Sequence, residues 1–263
     1  MKIYSHSRLN TFEQCPLKYK YKYIDKIIII QTSIEAFLGK IVHNTLEWLY
    51  SQVKKNKIPI IDEVITYYAT DWEKNYTPII IIVKKELTTK DYFNKGIQFL
   101  LGYYTQHKPF DDNTLEVEKR IMINLDENGE YKLQGFIDRL VHNLEKDELE
   151  IHDYKTGNSL PTQEKIESDR QLALYSIAIK ELFGQDKEVL LIWHYLAHNQ
   201  KIVSKRTNEQ LQELKKEIIE LIKKIEATTE FPPNKSVLCD WCEHKSMCTA
   251  FNKPKEEGLD IWD

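Results

Sequence analysis

The sequence predicts a mixed α/β protein whose sheet core is flanked by helices and preceded by a helical lobe. Three observations predict it. Segments of helical period, about 34–55, 60–75 and 88–107, fill the front of the chain. The period then changes to short strand-like runs at Leu115–Leu125, Tyr131–Asn143, Leu149–Lys155 and Val189–Ala197. The four cysteines form a split set, Cys15 at one end and Cys239, Cys242 and Cys248 at the other, so one metal group could tie the chain ends around the core.

Taken in order, residues 7–23 read as a helix capped by Ser5 or Ser7. It carries the alternation Lys18-Tyr19-Lys20-Tyr21-Lys22-Tyr23. The helix over 34–55 bears His43 and Glu47, with Gly39 one turn before the histidine, which allows close backbone approach. The helices over 60–75 and 88–107 are rich in Tyr and Trp. Turn-forming Asp126-Glu127-Asn128-Gly129 and polar Glu145-Lys146-Asp147 separate the first three strands. An amphipathic helix over 164–183 stops at Gly184. Val189–Ala197 reads as a buried strand, with Lys201–Ser204 returning from it. Thr207–Thr228 is a last amphipathic helix, and the cysteine segment follows Pro232-Pro233. The reading is one domain, 1–263, with a helical lobe at about 34–110, a core at about 111–206, and a terminal helix and cysteine segment at about 207–263.

Of 263 residues, 30% are charged, and the formal net charge is −4. This excludes non-specific coating of nucleic acid by the whole surface but leaves room for a local basic groove. No stretch approaches the ~18 apolar residues of a membrane span. Ile27–Ile30 and Ile79–Val83 read as strand or buried helix segments. The start, Met1-Lys2-Ile3-Tyr4-Ser5-His6, has no apolar signal core, so the expected address is cytoplasmic, where four cysteines favour metal over disulfides.

The chemistry centres on a hairpin. With its turn between Glu145 and Lys146, Asp138 falls opposite Asp153. Opposed carboxylates, with Cβ atoms about 4.5–5.5 Å apart, repel unless a cation compensates. Lys155, two residues from Asp153, points to the same face. Two carboxylates and an ammonium suit a Mg²⁺ site at which a phosphodiester is hydrolysed. Taken alone, Asp-x-Lys reads first as a surface ion pair, since the spacing is common. Gln171 and Tyr175 share a helix face and could bond phosphate or water. Four thiolates suit either a tetrahedral zinc or an iron–sulfur cluster. Either clip closes a loop worth roughly 5 kcal/mol by crosslink entropy.

Gly39-Lys40-Ile41-Val42-His43, Gly135-Phe136-Ile137-Asp138, Asp153-Tyr154-Lys155-Thr156-Gly157, Gln171-x3-Tyr175 and the cysteines, in this order, resemble the RecB-like iron–sulfur branch of the PD-(D/E)XK nucleases. That branch holds the AddB nuclease domain and the CRISPR-associated adaptation exonuclease. Ser7-Arg8-Leu9-Asn10, leading to Cys15-Pro16, fits it too. The resemblance implies a restriction-endonuclease-like core. It implies that His43, Asp138, Asp153 and the backbone carbonyl of Tyr154 hold Mg²⁺ or Mn²⁺, that Lys155 is catalytic, and that Gln171 and Tyr175 support the site. It implies a [4Fe–4S] cluster on Cys15, Cys239, Cys242 and Cys248. Asp153 stands where many relatives have Glu. Glu47 and Glu118 are further acids near the site without a secure match.

Lys18, Tyr19, Lys20, Lys22 and Tyr23 could give DNA ammonium groups and stacking rings, although Tyr19 and Tyr23 share a helix face and could instead pack. No G-x4-G-K-[ST] motor motif is present. The reading is therefore a metal-dependent deoxyribonuclease, an exonuclease by resemblance, acting on DNA ends or single strands. It would serve recombination, repair or CRISPR adaptation, with a helicase or CRISPR integrase complex as partner. Two other classes are a DNA-positioning role in which cleavage is secondary, and a zinc-stabilised scaffold.

Overall fold

In a computed structural model, the protein is described from residue 3 to residue 252. The chain opens with β1 (Ile3–Ser5), α1 (His6–Gln14) and α2 (Pro16–Tyr19), which runs into a π turn, Lys20–Ile24. The single helix expected over 7–23 is thus broken at Cys15, whose backbone is extended (φ −161°, ψ 106°). Pro16 is the cause: it disfavours helical geometry in the residue before it and is itself suited to the first helical position. Ser5 is the cap, its hydroxyl accepting the Arg8 N–H.

The lobe follows: β2 (Thr32–Ser33), α3 (Ile34–Val53), α4 (Ile61–Asn75), β3 (Ile80–Ile81) and α5 (Thr89–His107). The expected strand or buried helix at Ile27–Ile30 is absent. That segment has no regular structure, and Ile28 and Ile30 are exposed. Of Ile79–Val83, Ile80 and Ile81 pair with Thr32 and Ser33.

The core comprises β4 (Thr114–Asn124), β5 (Lys132–Asn143), β6 (Glu148–Lys155), α6 (Gln163–Glu167), α7 (Gln171–Phe183), β7 (Val189–Tyr195), β8 (Gln200–Lys205) and α8 (Asn208–Ala227). The helix expected over 164–183 is two helices, interrupted at Ser168–Arg170. The sheet is mixed. β4–β5, β5–β6 and β7–β8 are antiparallel, while β6–β7 and β1–β5 are parallel.

One face of the sheet packs on α1, α7 and α8 through Leu9, Ile123, Ile137, Leu174, Ile177 and Ile218. A second core joins α3, α4 and α5 and reaches the sheet through Tyr154 and Leu196. The β5–β6 ladder runs from Asn143 with Glu148 to Arg139 with His152. This is the register read from the sequence, and one further step sets Asp138 against Asp153. Beyond that point β6 leaves β5, and β1 takes up the same edge at Lys132–Gln134. The segment Gly135–Asp138 therefore has no strand partner on that edge, and the sheet opens into a notch.

Candidate active site

Sequence dictates who reaches this notch. On β5, Gly135 leaves room for α7: a Cβ there would stand 2.3 Å from the Tyr175 ring. Tyr175 is thereby laid against the strand, with Gln171 and the Phe136 backbone as hydrogen-bond neighbours of its hydroxyl. On α3, a Cβ at Gly39 would meet the Thr156 hydroxyl at 3.2 Å, so the helix packs closely against the end of β6 and presents His43 one turn later.

Asp138 Oδ2 accepts the Tyr154 N–H at 3.0 Å and lies 3.3 Å from His43 Nδ1. His43 Nε2 lies 2.7 Å from the Tyr154 carbonyl oxygen. Both ring nitrogens thus face oxygen acceptors, an arrangement that suits the doubly protonated ring. Burial works against its charge, but the bond and charge of Asp138, with Asp153 and the Tyr154 carbonyl, hold the pKa up to about 9.

Glu118 completes the group. One ligand atom each from His43, Glu118 and Asp138 lies within 4.8 Å of the others. Sequence reasoning named Glu118 only as a further acid near the site, without a secure match. Its backbone departs from the strand to φ 46°, outside the usual range for a side chain-bearing residue. Burial, then the charges of Asp138 and Glu47, raise its pKa to about 7.

Asp153 is 4% exposed, and Lys155 Nζ lies 2.7 Å from its Oδ2. The contact is an ion pair made by the buried Oδ2 itself. Burial and the neighbouring Asp138 push the Asp153 carboxyl upward against the pull of Lys155. Burial disfavours the Lys155 ammonium, yet Asp153, Asp169 and Asp138 hold it charged. Lys155 Nζ also donates to Gln171 Oε1 at 3.2 Å. His6, another residue unassigned from sequence, sits near Lys155, Asp169 and Arg170; burial, then Arg170 and Lys155, outweigh Asp169 and keep it neutral.

His43, Asp138, Glu118 and the Tyr154 carbonyl thus converge on one small volume, with Asp153, Lys155, Gln171 and Tyr175 beside it. Burial and the charge of Asp138 push both Glu118 and Asp153 upward; such crowded carboxylates are unfavourable without a cation, and their oxygen and imidazole donors fit Mg²⁺ or Mn²⁺.

The four cysteines line one cavity, together with Lys18, Lys235, Lys245 and Phe251. Cys15 Sγ accepts the Asn234 N–H at 3.5 Å and Cys239 Sγ the Ser236 N–H at 3.4 Å. The Lys-Tyr alternation serves this junction. Lys18 pairs with Glu243 at 2.7 Å, and Tyr21 donates to the Met247 carbonyl at 3.2 Å. The expectation that Tyr19 stacks on DNA bases is corrected. Tyr19 is 2% exposed, packed against Phe12, Tyr23 and Phe231, and its hydroxyl accepts from Arg8. Tyr23 packs against the same core, and Lys22 lies over its ring. Lys20 pairs with Asp25.

Residues 3–249 match the model of the PD-(D/E)XK nuclease superfamily. The chain is 26% identical over 246 residues to the B-type subunit of an ATP-dependent helicase/deoxyribonuclease from Carboxydothermus hydrogenoformans. That match takes in 82% of this chain but only 22% of the relative. The crystal structure of a candidate exonuclease from Eubacterium rectale superposes with a TM-score of 0.54 at 12% identity, covering 92% of this chain and 87% of the other. The mixed sheet, the notch and the family match over nearly all described residues place this chain in the PD-(D/E)XK nuclease superfamily.

Proposed function

We propose that the chain is a metal-dependent deoxyribonuclease that acts at DNA ends or on single strands. The observation that carries this reading is the convergence of His43, Asp138, Glu118 and the Tyr154 carbonyl beside the Asp153–Lys155 pair. A bound Mg²⁺ or Mn²⁺ supplies a Lewis acid for the phosphate and acidifies a water. Asp138 and Asp153 hold the negative charge that keeps the ion in the notch. As a ligand His43 would be neutral, so it would give up a proton on taking the ion. Lys155, charged and tethered to Gln171, stands where it can orient the attacking water or meet charge growing on the phosphate oxygens. Tyr175, fixed by Gly135, keeps Gln171 in place.

The second part of the proposal is a [4Fe–4S] cluster on Cys15, Cys239, Cys242 and Cys248. The thiols share a cavity and two of them accept backbone N–H groups, as cluster sulfurs do. One remote N-terminal cysteine with C-x2-C-x5-C is the pattern of the family's cluster branch, which favours the cluster over a tetrahedral zinc. Its place at the junction of the chain ends supports a structural role. The relative's name, which joins helicase and deoxyribonuclease, supports a helicase as partner, with recombination or repair as the setting. No helix among the described residues is long and apolar enough to cross a membrane. The proposed address is cytoplasmic, where thiols stay reduced and free to hold a metal.

The test is anaerobic purification, iron analysis, and incubation with end-labelled single- and double-stranded DNA with Mg²⁺, Mn²⁺ or chelator. The reading expects about four irons per chain and metal-dependent shortening from ends. Stoichiometric zinc would overturn the cluster. Binding without cleavage of either substrate in either metal would leave the DNA-positioning role.

A further inference from the structure

We propose that Phe136, flanked by Arg120, is a stacking platform for an unpaired base of the substrate strand next to the cleavage site. The inference rests on the nuclease reading of the notch. Its starting point is alternation along β5 and β4. Gly135 and Ile137 turn toward α7, and Ile121 and Ile123 enter the same core. Successive strand residues point to opposite faces, so Phe136, between Gly135 and Ile137, takes the other side, as do Arg120 and Met122 on either side of Ile121; the alternation breaks at Glu118 and Asp138, which meet His43 of α3. The register sets Arg120 across from Phe136 and Met122 across from Gln134.

Helix α3 covers only one end of this face. Lys54, at its C-terminal cap, bonds Glu116, and His43 meets Asp138 and Glu118. Beyond Glu118 the face is open: Phe136 is 50% exposed and Met122 39%. The Arg120 guanidinium donates to Gln134 Oε1 at 2.9 Å, which holds it beside the ring without neutralising its charge.

A scattered exposed apolar side chain calls for no explanation. Phe136 is different because it lies where β5, paired with β4 on one edge, has no partner on the other, two residues from Asp138. Two strand residues span about 7 Å, the scale of one nucleotide. A strand whose phosphate lies at Asp138 must pass its neighbouring base over this ring, and Arg120 is placed to meet the next phosphate. Stacking on an aromatic face is tolerant of base identity but needs an unpaired base, so the platform favours single strands or frayed ends over closed duplex.

The experiment measures binding of a fluorescein-labelled oligothymidylate and a blunt duplex of equal length in chelator, by anisotropy, for wild type, Phe136→Ala, Phe136→Trp and Arg120→Ala. Cleavage in Mn²⁺ is followed separately. Phe136→Ala should weaken single-strand binding about tenfold and duplex binding by less than about twofold, with Phe136→Trp restoring the former. Arg120→Ala should weaken both and reduce the salt slope by about one. If Phe136→Ala binds single strands as wild type does while wild type still cuts DNA, the platform is wrong and the nuclease reading stands. If Phe136→Ala loses single-strand binding but wild type cuts nothing, the platform stands as a binding site and the nuclease reading falls. Failure of wild type to bind single strands overturns the platform outright.

Discussion

Asp138 and Arg139 are neighbours in sequence, as are His152 and Asp153, yet each pair parts company in space. Asp138 and Asp153 turn to the notch, with His43, Glu118 and Lys155. Arg139 and His152 turn to the lobe, where they meet His194, Tyr103, Tyr50 and the hydroxyl of Tyr154. The difference lies in how completely each cluster is satisfied. Arg139, 1% exposed, bonds Asp112, Thr114 Oγ1, Tyr154 Oη and His152 Nδ1, and its guanidinium lies 3.9 Å from the centre of the Tyr50 ring. Arginine only donates, so His152 Nδ1 is an acceptor and its Nε2–H donates to Glu150 at 3.1 Å. His194 Nε2 lies 2.8 Å from the same Nδ1. In the notch, by contrast, carboxylates crowd one another, and burial with the charge of Asp138 pushes Glu118 and Asp153 upward. A polar network with its bonds made holds a fold together; one left with crowded like charges is waiting for a ligand. Tyr154 belongs to both, its side chain on the basic side and its backbone N–H and carbonyl on the acidic one.

The contrast can be broken from its structural side first. Arg139→Met should cost about 3 kcal/mol of stability, because a buried ion pair and several hydrogen bonds lose one partner; urea denaturation measures it. A loss below about 1 kcal/mol would mean the network is not a brace.

The buried histidines predict an acid weakness. Burial, with Arg139 close by, lowers His107 to about 4 and holds His152 and His194 well below their usual range. In the unfolded chain all three titrate near about 6.5. The native state therefore binds fewer protons below that pH, and stability is full above it and falls as the pH drops toward 4. Each histidine accounts for up to about 1.4 kcal/mol per pH unit. His107→Gln should flatten the dependence of the denaturation midpoint on pH between 6.5 and 5; an unchanged slope would place the acid sensitivity elsewhere.

Tyr154→Phe sharpens the same division at smaller cost. It removes the hydroxyl that accepts from Arg139 at 3.1 Å, worth about 1 kcal/mol, and leaves the backbone groups at the notch. Melting should shift while metal-dependent cleavage stays near wild type. A rate loss as large as that of an acidic-site variant would merge the two clusters into one.

How much of this was legible in sequence follows the range of the interactions. The hairpin register was readable, because a short turn fixes the pairing as far as Arg139 with His152, one step from Asp138 and Asp153. The break at Cys15 is written locally in Pro16, but the helical period of the flanking residues masks it. Glu118 was legible only as an acid near the site: its approach to His43 depends on its own left-handed backbone within β4, which no pattern announces. The basic cluster was hidden for another reason. Arg139, His152 and His194 look like unrelated strand residues until β5, β6 and β7 are laid side by side under α5. Tyr19 shows the opposite error, since a Lys-Tyr alternation reads as a nucleic-acid surface until Phe231 and Arg8 arrive from distant parts of the chain to bury the ring.

The central claim is that the acidic cluster works while the basic cluster holds. Single-turnover cleavage of end-labelled DNA by Asp138→Asn, in Mn²⁺ and under nitrogen, with its melting temperature recorded alongside, tests it most directly. The substitution removes a ligand charge and relieves repulsion with Glu118 and Asp153. Cleavage should fall by at least about 10²–10³-fold, with a melting temperature equal to or above that of wild type. A folded Asp138→Asn protein that cuts at the wild-type rate would contradict the account.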